Sequence, residues 1–244
     1  MVSLVRPLRQ LAVSPTRFFE ERPPSDTLPV AAGLVVFFAV ALTAALLLVG
    51  SMLAGAVDAT VTMDNPDRPP ETFCEQYEDD PDSPFGEGCD EPVTVERDAG
   101  QLLREAVNDY LWIGVVSPFV LWFLGTLVLF AGGQLAAGDP SFAGTAALAG
   151  WAALPEFLRV VAGLAGLWYA LRDLTITGPE QGAAVLETAL AAVEPILLVV
   201  SLLTLGWQWS ILSAGLSEDA DISRGAAAVA VGVPLVIFFV VGAL

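Results

Sequence analysis

The sequence predicts an all-α fold: a polytopic transmembrane helical bundle of five spans, with a long acidic external loop between spans one and two. Three observations predict it. Hydrophobic residues make up 55% of the 244 and charged residues only 16%, against roughly 25% charged in an ordinary soluble domain. The charge is also confined: Asp58 to Asp109 holds sixteen of the 28 acidic residues and three of the ten basic ones, Arg68, Arg97 and Arg104. Finally, Leu28–Val57, Tyr110–Gly138, Pro195–Ser217 and Gly225–Leu244 carry no charge, and Pro140–Leu171 is interrupted only by Glu156 and Arg159. A hydrocarbon core of about 30 Å is crossed by about 20 helical residues. Runs that are apolar all round offer no face to water. They are too long for barrel strands and lack the alternation of a barrel, so the backbone in lipid has to be satisfied within helices.

Composition removes several chemistries. There is no histidine and no lysine, so all ten basic residues are arginine. That excludes histidine bases and metal sites, Schiff-base lysines and P-loop lysines. A rhomboid-like protease lacks its histidine, and Ala136-Ala137-Gly138-Asp139 lacks the first glycine of the Gly-x-Gly-Asp of an aspartyl type. The expectation is a non-enzymatic protein with no cofactor and no metal, whose first partner is the lipid bilayer.

Residues 1–26 form a tail. Ser14-Pro15 has the residues for a helix start, and Phe18 and Phe19 between arginines suggest a short interfacial helix dipped into the membrane boundary. Span one covers 27–57. Its uncharged run, Leu28–Val57, is about twice as long as a signal h-region and follows 27 mostly polar residues, so it is predicted to persist.

The loop 58–109 has a net charge of 3 − 16 = −13 and holds the two cysteines, Cys74 and Cys89. They are a candidate disulfide, worth about 3 kcal/mol of loop stability in the chain-entropy model. The alternative is two free thiols, but the pair is isolated in a loop with little apolar core, and an exterior compartment keeps disulfides oxidised. In the stretch Glu75–Glu91, an EF-hand register starting at Asp80 puts Asp82 and Glu91 at the right positions. It places Pro84 and Phe85 where the turn needs a ligand and a glycine, so a solvated, self-repelling loop is expected instead. Such acidity, with arginine replacing lysine and a pI near 4.1, suggests a halophilic protein, because molar salt screens like charges. It also argues against nucleic acid or anionic lipid as partners of this loop.

Asp98 can cap a helix bearing Leu102, Leu103, Ala106 and Tyr110 on one stripe, leading into span two, 110–137, which Pro118 should bend. Asp139-Pro140 suits the start of span three, 140–171, bent near Pro155. Tyr110 and Trp112 should meet Trp168 and Tyr169 at the outer interface. Small residues recur at four-residue spacing in span three (Ala143/Ala147, Ala146/Gly150, Ala149/Ala153, Ala162/Gly166) and in span five, 225–244 (Ala226/Ala230, Ala228/Gly232). Close backbone approach drives association in lipid, so span three is expected at the bundle centre, against span five. Span four covers 187–216.

Arg6, Arg9, Arg17 and Arg22 all precede span one, and the next arginine is Arg68. The positive-inside rule then puts the N-terminus in the cytoplasm and, after five crossings of the cell membrane, the C-terminus outside. Glu156, Arg159 and Glu194 stand out as an intramembrane polar cluster linking spans three and four, each glutamate beside a proline, with Glu187 on the face of Glu194. Charge at membrane depth costs several kcal/mol unless paired or hydrated. The cluster either pins helix register or lines a path for an ion or solute. A small transporter or channel is the alternative to a scaffold that binds a protein partner at its cytoplasmic face or in the membrane.

The order of certain residues resembles a known family. Pro15, Phe18 and Phe19 precede span one. Gly132-Gly133 leads to Ser141-Phe142, Thr145, Gly150-Trp151 and Leu154-Pro155, and Pro195 and Pro234 follow in the last two spans. This resembles the Yip family, the Ypt/Rab-interacting five-span membrane proteins, in its prokaryotic and salt-loving archaeal form. The resemblance implies five spans, a cytoplasmic N-terminus and no catalytic residues. Eukaryotic members act in membrane trafficking and bind prenylated small GTPases; the long acidic loop departs from their compact plan.

Overall fold

A computed structural model describes residues 5–77 and 88–242. Asp80, Asp82, Pro84 and Phe85, on which the EF-hand comparison turns, lie outside them. Two short helices open the chain, α1 (Val5–Val13) and α2 (Pro15–Glu21), followed by a 3-10 turn (Pro24–Thr27) and α3 (Leu28–Ala56). The connecting region holds β1 (Thr60–Asp64), α4 (Glu71–Tyr77) and β2 (Thr94–Asp98), then α5 (Ala99–Asp109) and α6 (Leu111–Leu135). Span three is two helices, α7 (Phe142–Trp151) and α8 (Ala153–Leu171). It is followed by α9 (Pro179–Ala191), α10 (Glu194–Asp219) and α11 (Arg224–Gly242). Among the described residues, five helical segments are long and apolar enough to cross a membrane: Pro24–Ala56, Ala99–Leu135, Phe142–Leu171, Glu194–Asp219 and Arg224–Val241. Phe37, Leu121, Leu203 and Ile237, from four of the five spans, are each more than half exposed. Such a belt has hydrocarbon as its solvent.

Span three is the centre of the bundle. In α7 every residue from Gly144 to Leu148 is buried, as are Gly150 and Trp151, and the helix packs on α3, α6 and α10. Glycine makes this approach possible: a Cβ on Gly150 would stand 2.9 Å from the Cβ of Ala31 in α3. The expected contact with span five is not the principal one. α11 packs on α10 and α6, because its small residues admit other neighbours: Gly132 of α6 approaches the Ala230 carbonyl, and the Trp209 indole lies against Gly232. That indole donates from Nε1 to the Ala228 carbonyl at 2.9 Å.

Prolines set the breaks. Pro155 has no N–H to offer the preceding turn, and the helix is interrupted at Ala152, three residues before the proline, rather than bending at it. Span four is likewise divided. Pro195 lies in the first turn of α10, and α9 is a separate helix, so the continuous segment expected from 187 begins at Glu194. Span three starts not from Asp139 but from Ser141, whose Oγ accepts from the Gly144 N–H at 2.9 Å. Asp98 does cap α5, its Oδ1 accepting from the Gln101 N–H at 2.7 Å.

The tail is part of the bundle. Phe18 and Phe19 are buried, and Phe18 packs edge-on against Trp151 with ring centroids 5.6 Å apart. Their expected place was the lipid boundary, but α2 lies on α10 and protein covers both rings. The acidic region also has more structure than a solvated loop. Thr60-Val61-Thr62-Met63 alternates as a strand should, and β1 pairs antiparallel with β2 from Thr60↔Asp98 to Asp64↔Thr94. The N–H of Asp58 donates to the Ile176 carbonyl at 2.9 Å and that of Ile176 to Ala56 at 2.8 Å, tying this ribbon to the α8–α9 connection. Cys74 and Cys89 are disulfide-bonded, with Cα atoms 5.5 Å apart. Arg68 braces the same turn, donating from Nη1 to the carbonyls of Cys89 and Glu91.

Candidate functional site

The most polar place inside the bundle lies where α8 crosses α10. Glu156 and Arg159 are one helical turn apart on α8, and Thr204 and Gln208 are one turn apart on α10, so each pair shares a helix face. Arg159 Nη1 lies 3.2 Å from Glu156 Oε2, and its Nη2 donates to Thr204 Oγ1 at 3.3 Å. Gln208 Nε2 donates to Glu156 Oε1 at 2.7 Å and to the Ala152 carbonyl at 3.0 Å. Thr204 is fully buried, and its hydroxyl donates to the Ser201 carbonyl at 2.9 Å. The helix break at Ala152 therefore brings a backbone carbonyl into the same network. One donor is left over: Arg159 Nε is buried with no hydrogen-bond partner.

The site residues expected from sequence divide here. Glu156 and Arg159 are brought together. Glu194 is not brought to them: it is the first residue of α10, exposed, ten residues before Thr204, or about 15 Å along the helix. Glu194 and Pro195 stand in the first turn of α10, whereas the side-chain bonds from α10 to the Glu156–Arg159 pair come from Thr204 and Gln208 further along. Glu187, on α9, is also exposed. Sequence reasoning missed Thr204 and Gln208 because it looked for charge. Gln208, an amide within the uncharged run Pro195–Ser217, was a usable signal, since an amide in hydrocarbon needs partners almost as much as a charge does.

A second polar set closes the end of the bundle near the tail. Asp219, in the last turn of α10, accepts from the Ser141 N–H at 3.0 Å and from Ser141 Oγ at 2.8 Å. Gly144 is needed beside it, because a Cβ there would collide with the Asp219 carboxylate. Thr145 is fully buried, its hydroxyl turned back to the Ser141 carbonyl at 3.0 Å. Trp151 Nε1 donates to Thr27 Oγ1 at 2.9 Å, and Gly133 packs on Pro140. Of the residues that carry the resemblance in 132–155, Gly133, Ser141, Thr145, Gly150 and Trp151 thus serve close packing of span three, while Gly132 packs on Ala230 of α11.

The family model for the Yip1 domain matches residues 9–244. The chain belongs to the Yip1-domain family. No curated protein and no solved structure matches it. The matched region starts inside α1, so in this Yip1-domain chain the family unit includes the tail helices as well as the five membrane helices. It is a multi-pass membrane protein.

Proposed function

We propose that this Yip1-domain protein is a non-enzymatic component of the cell membrane that organises membrane or scaffolds a protein partner. One observation carries the reading. The polar groups that could have lined a path are used in helix packing: Arg159 on Glu156 and Thr204, and Gln208 on Glu156 and Ala152. The ion pair itself lies within α8 and is partly exposed; the bonds it makes to Thr204 and Gln208 are what hold α10 in register against α8. The N-terminus and its arginines face the cytoplasm, the disulfide-bonded region faces outward, and the C-terminus lies outside. The charge balance fits a halophilic cell. The partner binds through the tail or within the membrane. The family's link to small GTPases suggests a protein partner without naming one.

The transporter reading keeps one observation, the unpartnered Arg159 Nε, which leaves a donor for a passing anion or water. Crosslinking in native membranes followed by affinity isolation tests the first reading, which expects a stoichiometric protein partner. Ion- or proton-dependent uptake into liposomes of the purified protein, abolished by Arg159→Leu, would replace it with the second.

A further inference from the structure

At the tail end of the bundle, α2 and the start of α11 border an open cleft of about 400 Å³ against α10. Its polar walls are Ser14, Thr16, Arg17, Glu20, Ser210 and Arg224. Two of these are guanidinium groups with different occupations. Arg224 Nη2 is 3.4 Å from Glu20 Oε1, a pair whose two side chains are both more than half exposed. Arg17 has no ion pair or hydrogen bond among the described residues. The cleft therefore holds two cations against one carboxylate, with three hydroxyl groups around them.

Its position sets the ligand chemistry. Arg224 immediately precedes the uncharged run Gly225–Leu244, and Ser210 lies within the uncharged run Pro195–Ser217. The cleft thus straddles the point where the helices pass from charged to apolar sequence. Val13 and Pro15 also line the cleft, and Val13 is exposed, so apolar surface adjoins the cationic wall. A ligand matching both would carry an anionic oxygen group at one end and hydrocarbon at the other.

We propose that this cleft binds the phosphate of an anionic phospholipid, with Arg17 and Arg224 as its cationic ligands and Ser210 as a hydroxyl donor. Guanidinium groups present paired N–H donors that match phosphate oxygens. Glu20 pairs with Arg224 and would compete with the lipid for it. The site is independent of the Glu156–Arg159 network and of the scaffold reading.

The test uses the full-length protein in dodecyl maltoside with equal amounts of phosphatidylglycerol and phosphatidylcholine, counting the lipids retained by native mass spectrometry. The expected result is preferential retention of phosphatidylglycerol, lowered about tenfold or more by Arg17→Gln, as loss of a charge-assisted contact implies. Arg17 is exposed and has no ion pair or hydrogen bond among the described residues, so this variant removes none of those that hold the fold. Glu20→Gln should raise retention by removing the competitor, and Arg97→Gln, in the β-ribbon, should leave it unchanged. Equal retention of the two lipids would overturn the proposal, as would retention unmoved by Arg17→Gln or lowered by Glu20→Gln. Displacement of the lipid by inorganic phosphate at equal concentration would assign the cleft to a free anion instead.

Discussion

Replacing Glu156, Arg159 or both with leucine separates a register-fixing pair from a hydrated path. In Arg159→Leu the Glu156 carboxylate keeps only Gln208, its bond of 2.7 Å, and remains at membrane depth without its cation. In Glu156→Leu the guanidinium keeps only Thr204 at 3.3 Å. Breaking a fully buried pair from one side costs about 3–5 kcal/mol, whereas replacing both members with apolar residues of similar size is often neutral; the Arg159 and Glu156 side chains are 41% and 23% exposed, so the lower end of that range applies. A charge at the centre of a membrane helix costs a comparable amount, about 2.5–3.5 kcal/mol on the insertion scale. Each single variant should therefore lose about 3 kcal/mol, roughly a hundredfold in the folded-to-unfolded ratio. The double variant should lie within about 1 kcal/mol of the parent, a coupling far beyond the few tenths expected for independent sites. Reversible unfolding in bicelles, followed by tryptophan fluorescence, measures all four corners of the cycle. If the double variant is destabilised by the sum of the two singles, the residues do not act as a pair and the packing argument fails.

The Ser141–Asp219 latch should be the other sensitive point: Asp219→Ala removes two charge-assisted hydrogen bonds, costs about 2 kcal/mol at a half-buried site and lowers the melting temperature by about 4–8 °C, measured by fluorescence-detected size exclusion. Cys74→Ser/Cys89→Ser should loosen the ribbon by about 3 kcal/mol while the membrane helices keep their stability, seen as faster cleavage by a Glu-specific protease at Glu71 and Glu75. In that cysteine-free background, Thr94→Cys on intact cells should react with an impermeant maleimide and Glu21→Cys should not; the reverse pattern would invert the orientation. Raising salt from 0.1 to 1 M shortens the screening length from about 10 to about 3 Å, so the protease resistance of the 58–109 region, with sixteen acidic residues against three arginines, should rise with salt.

The spans were legible in the sequence because length and absence of charge are the two things a bilayer selects for. The small-residue spacing of span three likewise announced its central place. It could not choose the partner, because alanine and glycine let any helix approach, and the Trp209 indole took the groove of α11. The candidate site was half legible: charge revealed Glu156 and Arg159, but the partners that satisfy them, Thr204 and Gln208, are neutral. Glu194 shared their composition and not their location. Phe18 and Phe19 were misplaced because phenylalanine beside lipid and phenylalanine beside tryptophan carry the same sequence signal. The ribbon was hidden by its acidic surroundings, although Thr60–Asp64 alternates.

The hydrogen bond between Trp151 and Thr27 joins the residue just before α3 to a point ten residues into span three. The first long helix accordingly begins partway up the bundle, and the space beneath it is filled by Leu11, Phe18 and Phe19, all buried. The amino-terminal helices are thus a plug rather than a tether. A partner that recognises them must either read their outer surface in place or pull them free, and pulling them free would open the bundle beside Trp151. Trimming the chain to its first apolar run would have the same effect, leaving five helices and a hole.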